Sequence, residues 1–177
     1  MISSTEDALG VIFQQLPPVQ DTNGVDFKIK YSWGSEYALN LYLAQTTEKY
    51  PLLWLVEGSD NYDATLSITR PIKLFIAKNS DYVTNTNPTI WAEEFNIVLN
   101  PILANVLKAL QGSGITEIKD GKYKVTRLAN YTENNNTSKT IDNWNVIVVE
   151  SDIKVKIKNG PCGPFIETDC INPIKFC

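Results

Sequence analysis

The sequence contains no histidine. Histidine is the side chain whose ordinary pKa lies in the physiological range, and it is the commonest metal ligand in proteins. Its absence excludes Ser-His-Asp and Cys-His catalytic arrangements and zinc sites of the HExxH type. Carboxylate and lysine chemistry remain open, so the range of enzyme classes that this chain could serve is narrow.

Long apolar runs and processing signals are also lacking. No stretch approaches the ~20 apolar residues that span a bilayer, and the start MISSTEDALG lacks the basic and then apolar order of a signal peptide. We therefore expect no membrane contact and synthesis in a reducing cytoplasm. Cys162, Cys170 and Cys177 fit no zinc spacing and are expected to be free thiols, with a Cys162–Cys170 bridge as the alternative.

Motifs for cofactor binding and catalysis are missing as well. The sequence has no GxGxxG, no GxxxxGK[ST], no GxSxG and no CxxC. Glu93 and Glu94 are neighbours on a predicted helix, so they point about 100° apart and are expected to be solvated. Glu57, Asp60 and Asp63 lack the order of a calcium loop and are expected in an exposed turn. We therefore predict no catalytic residue, no metal ligand and no cofactor, and a protein that is not an enzyme.

Size and composition indicate one ordinary globular domain. The chain has 177 residues, of which 43% are hydrophobic and 20% charged. A chain of this length buries about 70% of the surface that its unfolded form exposes. The net charge of −4 argues against a protein that is held on nucleic acid by phosphate contacts.

The first half of the chain shows short alternating elements. An apolar stripe after Ser3, Ser4 and Thr5 predicts a first helix that ends at Pro17. Residues 25–31 alternate as a half-buried strand. A second helix is expected up to about residue 49, with Tyr37, Ala38, Leu41, Ala44 and Gln45 along one side. Residues 52–57 predict a buried strand, antiparallel to a second strand region at 64–77, in which Pro71 indicates a bulge or an edge.

The second half contains the clearest helix. It begins at Asn87-Pro88 and ends near Gly112 and Gly114, and at Pro101 we expect either a bend or a division into two helices in tandem. Strands are predicted at 122–132, 142–150 and 152–158. The order α-β-α-β-β-α-β-β predicts a single α+β domain over residues 1–159, with a mostly antiparallel sheet packed on one side by this long amphipathic helix. An extended C-terminal tail follows at 160–177.

Large aromatic and basic side chains add two expectations. All four tryptophans lie in apolar patterns and are expected to pack in the core, and Trp33, at a strand end, is the best candidate for an interface anchor. Lys154, Lys156 and Lys158 line one face of the last strand. We interpret them as protection of an edge strand against aggregation, with an acidic partner or nucleic acid as the alternative.

The sequence resembles tailed-bacteriophage head–tail connector and tail-terminator proteins, particularly those of phages that infect Bacteroidetes. The similarity lies in element order and runs from the first helix to about residue 158. The strings that carry it are YPLLWLVEGSDNY, ITRPIKLFIAKNSD, NPTIWAEEFNIVLNPILANVLKAL and NWNVIVVESDIKVKIK.

The resemblance implies a structural virion protein, assembled in the host cytoplasm, that forms a homo-oligomeric ring at the phage neck or tail. Its partners would be further copies of itself and other neck, portal or tail proteins, and DNA would pass the lumen without specific binding. A ring needs heterologous contacts. We expect them from the loops 58–63 and 79–89 and from the tail. The expected interface residues are Trp33, Gly58, Asp60, Asn61, Tyr62, Asp63, Asp81, Tyr82, Phe165 and Phe176.

Two other classes remain open from the sequence. A carboxylate-dependent hydrolase would need two acids from distant segments in a deep pocket, one of them with a raised pKa. A non-viral protein-binding module is the second alternative.

Overall fold

A computed structural model describes residues 4–21, 23–45, 49–63, 67–79, 87–131 and 144–156. Its helices are α1 (Thr5–Phe13), α2 (Glu36–Gln45), and a long helix made of α3 (Asn87–Thr89), a π-helical segment (Ile90–Leu99) and α4 (Asn100–Gly112). The strands are β1 (Val19–Gln20), β2 (Asp26–Phe27), β3 (Lys30–Gly34), β4 (Leu52–Val56), β5 (Asn61–Tyr62), β6 (Ile68–Asn79), β7 (Thr116–Ile118), β8 (Lys124–Tyr131) and β9 (Trp144–Val155).

Seven of these strands form one sheet. Its order is β3-β4-β6-β9-β7, with β5 beside β6 and β8 beside β9. The β3–β4 pair is parallel, and every other strand pair of the described residues is antiparallel. The predicted α+β class with a mostly antiparallel sheet is therefore confirmed. Strands β1 and β2 form a separate antiparallel ribbon.

Helices cover both faces of the sheet. Because side chains alternate along a strand, Leu53 and Leu55 of β4 face the core under α1 and the long helix, whereas Leu52 and Trp54 face a second core under α2. Both cores are fully closed to solvent at these positions. The one-sided packing that the sequence indicated is thus completed by α2 on the opposite face, and β4 is buried on both sides as predicted.

Helix α1 begins as the sequence indicated. The Ser4 hydroxyl accepts a hydrogen bond from the backbone N–H of Asp7 at 3.2 Å, which satisfies one of the free donors of the first turn. Leu9, Ile12 and Phe13 are buried against the sheet.

The predicted strand at 25–31 is wrong in its extent. The backbone N–H groups of Asn23 and Val25 donate to the Asp21 carboxylate at 2.8 and 2.9 Å, which folds a turn there and leaves Val25 exposed. Both hydrogen bonds lower the pKa of Asp21, and the one from Val25 has the larger effect. The strand that joins the main sheet begins only at Lys30, whose N–H donates to the carbonyl of Pro51 at 2.9 Å.

The inner face of α2 also differs from the prediction. Leu39 and Leu43 are buried, while Tyr37 and Leu41 are 78% and 45% exposed. A Cβ on Gly34 would lie 2.9 Å from the Cβ of Ala38, so the glycine allows α2 to pack closely against β3. Of the expected stripe, Ala38 packs against the second core, whereas Tyr37 and Leu41 face solvent.

The long helix is confirmed, but its first half follows π-helical spacing. The N–H of Asn100 bonds to the carbonyl of Phe95, five residues earlier. As a result Ile90 and Phe95 are buried, whereas Trp91, expected in the core, is 41% exposed and stacks on the Phe95 ring at 4.4 Å. Helix α4 begins directly beside Pro101, whose missing N–H cannot form the usual bond to the preceding turn.

The last strand is a single element, β9, rather than two. It lies between β6 and the pair β7 and β8, so the interpretation of its lysines as edge protection is wrong. Lys154 and Lys156 instead form ion pairs with Asp63 and Glu117 at 3.0 and 2.7 Å. Lys158 lies outside the described residues. On one side of β6, Pro71 is paired with Asp152 of β9. On the other side it falls between the residues of β6 that pair with β4 and those that pair with β5, so no strand that the structure describes lies beside it there. Pro71 therefore occupies an edge position, as expected.

Candidate functional site

A buried arginine organises one end of the sheet. The side chain of Arg70, on β6, is 1% exposed and lies on the same face as Ile68 and Ile72. Its guanidinium forms an ion pair with Glu6 of α1 and donates to the carbonyl of Val56 at 2.9 Å. A paired and hydrogen-bonded charge is the form in which an arginine is tolerated in a core. Arg70 therefore fastens α1 to the ends of β4 and β6.

The loop after β4 closes over this arginine. The Asp60 carboxylate lies 3.4 Å from the guanidinium. It also accepts two hydrogen bonds from Thr5, one from the side-chain hydroxyl at 2.7 Å and one from the backbone N–H at 3.3 Å. A Cβ on Gly58 would lie 2.9 Å from Nε of Arg70. Gly58 is exposed, but the Asp60 carboxylate is directed inward. The expectation of an exposed turn is therefore wrong for Asp60.

Tyr31 completes the inner layer of this cluster. Its hydroxyl donates to the backbone carbonyl of Glu6 at 3.1 Å, and its ring packs on Phe13. Burial, followed by the negative charge of Glu6, raises the pKa of Tyr31 far above its usual range. The phenol is therefore neutral at physiological pH and acts as a hydrogen-bond donor that holds α1 on β3.

Two exposed aromatic side chains flank the Arg70 cluster. Trp33, at the end of edge strand β3, is 52% exposed, and Tyr62 of β5 is 59% exposed. Trp33 is paired with Leu55, and Tyr62 with Ile68, so both lie on the sheet face that carries α1. We call Trp33 and Tyr62 the aromatic surface. Exposed aromatic side chains on a rigid support are typical of protein-binding surfaces.

The structure brings six of the ten expected interface residues to this end. Besides the residues above, Asn61 is exposed on β5, and Asp63 is exposed at its end. The Asp63 carboxylate accepts a hydrogen bond from the N–H of Ser67 at 2.9 Å and pairs with Lys154, so it links the end of β5 to Ser67 and to β9. Asp81, Tyr82, Phe165 and Phe176 lie outside the described residues, as do the tail and all three cysteines.

A second apolar surface lies on the opposite face of the sheet. Tyr37 and Leu41 are separated by one turn of α2 and are both exposed, and we call this pair the α2 surface. The sequence pattern predicted both residues on one side of this helix, together with Ala38, Ala44 and Gln45. The signal that could have assigned them correctly is Leu39 and Leu43, which form the competing i, i+4 pair on the same helix.

A groove runs between the end of α1 and the C-terminal half of α4. It encloses about 390 Å³ and is lined mainly by apolar side chains, among them Ile12, Leu16 and Ile115. Lys108 lies at its rim and is exposed. No sequence motif indicated this groove, because its two walls are far apart in the chain.

Acidic residues from distant segments do meet in another cavity. A shallow cavity of about 390 Å³ is lined by Glu57, Glu150 and Asp152 together with Lys73. A hydrogen bond from Lys124 lowers the pKa of Glu150, which is the opposite of the raised pKa that the hydrolase alternative requires. Glu94, expected to be solvated, pairs with Lys78 at 2.9 Å. Within the described residues, no group of three or more potential ligands is placed to hold a metal ion.

Over the part of the chain that the structure describes, no helix is both long enough and apolar enough to cross a bilayer. The chain matches no known protein-family model, and no curated protein shows significant similarity to it.

Proposed function

We propose that this protein is a structural subunit of an oligomeric ring in the neck or tail of a tailed bacteriophage. The observation that carries the proposal is the pair of exposed apolar surfaces on opposite faces of the same sheet. A closed ring needs two different patches, one of which meets the other on the next copy. The aromatic surface and the α2 surface are two such patches.

The aromatic surface and the α2 surface both stand on well-packed parts of the protein, as a subunit interface requires. The aromatic surface flanks a buried ion-pair cluster that joins α1, β4 and β6, so its side chains stand on a rigid base. The α2 surface stands on a helix held by Leu39 and Leu43 in the second core. Interfaces gain affinity when their anchors need little ordering on binding, because less entropy is lost.

The electrostatics of the chain agree with a ring that encloses DNA. The net charge is −4, and the lysines at 154 and 156 are engaged in ion pairs with carboxylates. A lumen built from such subunits would not hold phosphates by release of counterions, so DNA would pass without specific binding. Virion assembly in the host cytoplasm and contacts with portal, neck or tail proteins belong to the same proposal.

Two complementary variants test the arrangement. Trp33→Ala weakens the aromatic surface, and Leu41→Glu places a charge on the α2 surface. We expect the wild-type protein to form a closed ring, as measured by analytical ultracentrifugation and negative-stain microscopy, and each variant alone to form none. In a mixture, each variant supplies the patch that the other lacks, so dimers and no larger species are expected.

The control is Val25→Glu, which introduces a charge at another exposed apolar residue outside both surfaces. This variant should assemble like the wild type. A wild-type protein that stays monomeric at every concentration, or a mixture that forms full rings, contradicts the proposal.

A further inference from the structure

The groove between α1 and α4 lies beside the point where the chain leaves the sheet. The N–H of Lys156, the last described residue after β9, donates to the carbonyl of Ile115 at 2.8 Å. Ile115 also lines the groove. The segment 157–177 therefore begins next to this groove, which gives it a high effective concentration there.

The composition of that segment matches the groove. Phe165 and Ile166 are adjacent apolar residues, and Glu167 and Asp169 follow them directly. The groove offers a mainly apolar lining, and the exposed residue Lys108 is part of that lining. An apolar pair followed by two acids is complementary to an apolar groove with a cation beside it.

The length of chain is also sufficient. Residues 157–164 lie between the sheet and Phe165, and at about 3.3 Å per residue they can span roughly 26 Å. The walls of the groove come from α1, α4 and the turn before β7, and that turn is already hydrogen-bonded to Lys156. A short extended connection is therefore enough to bring Phe165 over the groove.

We infer that residues 165–169 bind in the groove between α1 and α4 of the same copy. Phe165 and Ile166 enter the apolar part, and the two acids face Lys108. This inference does not depend on the proposed ring. It changes one expectation, because it gives Phe165 a partner within its own chain rather than in a neighbouring subunit.

The natural cysteines make the inference testable in the full chain. Cys162 and Cys170 lie on either side of residues 165–169. Gly112 lines the groove, and a Cβ added there meets no atom within 4 Å, so Gly112→Cys is sterically free. A disulfide forms only when two Cα atoms approach within about 7 Å. Mild oxidation of this variant therefore reports whether the segment occupies the groove.

We expect a disulfide within one chain from the introduced thiol to Cys162 or Cys170, identified by peptide mass and by a monomer band on a non-reducing gel. The matched control is Gln111→Cys, at the exposed neighbouring position on α4, which should react at least about tenfold more slowly. Adding Phe165→Asp to Gly112→Cys should reduce its rate to that of the control. Equal rates for the two positions, or a covalent dimer in place of the monomer band, would overturn the inference.

Discussion

Replacement of Arg70 by methionine should destabilise the protein severely. The guanidinium is 1% exposed and contacts the carboxylates of Glu6 and Asp60, whose side chains are 11% and 14% exposed. Removing one partner of a buried ion pair leaves the other charge without compensation and typically costs about 3–5 kcal/mol. We expect Arg70→Met to lie in this range, because it leaves two mostly buried carboxylates without the cation that pairs with them.

Urea unfolding followed by tryptophan fluorescence measures this loss. With a urea dependence of about 2 kcal/mol per M for a chain of this size, the midpoint should fall by roughly 1.5–2.5 M. Removing the facing charge as well, in Arg70→Met with Glu6→Gln, should recover part of the stability, since the buried carboxylate is then neutral. The double variant thus separates the ion pair from the lost packing of the arginine stem.

A small shift of the urea midpoint would contradict this role of Arg70. If Arg70→Met shifts the midpoint by less than the equivalent of about 1 kcal/mol, the cluster behaves like a surface ion pair and does not fasten α1 to the sheet. If the double variant is destabilised by the sum of the two single losses, the two side chains are energetically independent despite their contact.

Three further predictions follow from the packing and the charges. Gly58→Ala should cost about 1–3 kcal/mol, because its Cβ would lie 2.9 Å from the buried guanidinium; the same urea titration checks this value. Leu39→Ala should lower the stability by about 2–5 kcal/mol and Leu41→Ala by at most about 0.5 kcal/mol, because only Leu39 is buried. Thermal unfolding of the two variants measures both losses, and the reverse order would show that the inner face of α2 is assigned incorrectly. The hydrogen bond from Lys124 lowers the pKa of Glu150 in the folded state, so this pair contributes stability that is present above the ordinary pKa of the carboxyl and is lost as pH falls through the lowered one. Glu150→Gln should flatten that part of the pH dependence of the urea midpoint, and an unchanged curve would contradict this prediction.

Patterns of apolar residues predicted the main helices and strands, because the spacing of buried residues within a short segment differs between a helix and a strand. The run at 52–57 has to be a strand covered on both faces, and the long stripe after Asn87 has to be a helix on a core. The faces of α2 were not predictable in the same way. Its two possible stripes differ little in apolar content, and the choice depends on packing against β4 and β6 in the second core, which forms only in the folded chain.

The Arg70 cluster was missed although one local signal was available. Ile68, Ile72 and Leu74 alternate along β6, and Arg70 falls in phase with them, where an apolar residue is expected. A charged residue in phase with a buried stripe indicates an ion pair in the core. Its partner Glu6 could not be identified, because an acid in the first turn of a helix already has a local explanation.

The aromatic surface was partly predictable. Trp33 could be placed at a strand end from the alternation before Gly34, and its exposure follows from the position of β3 at the edge of the sheet. That Tyr62 shares its face depends on the pairing of β5 with β6, a register that the sequence does not encode in a short polar segment.

The π-helical segment determines where this chain can change its length. Where two strands pair without a bulge, as β6 and β9 do over twelve residue pairs, one inserted or deleted residue would turn every side chain beyond it to the other face. The segment Ile90–Leu99 already carries hydrogen bonds that reach five residues back, so it can lose a residue and return to ordinary helical spacing. Related chains should therefore vary in length here, ahead of Pro101, while β6 and β9 keep theirs.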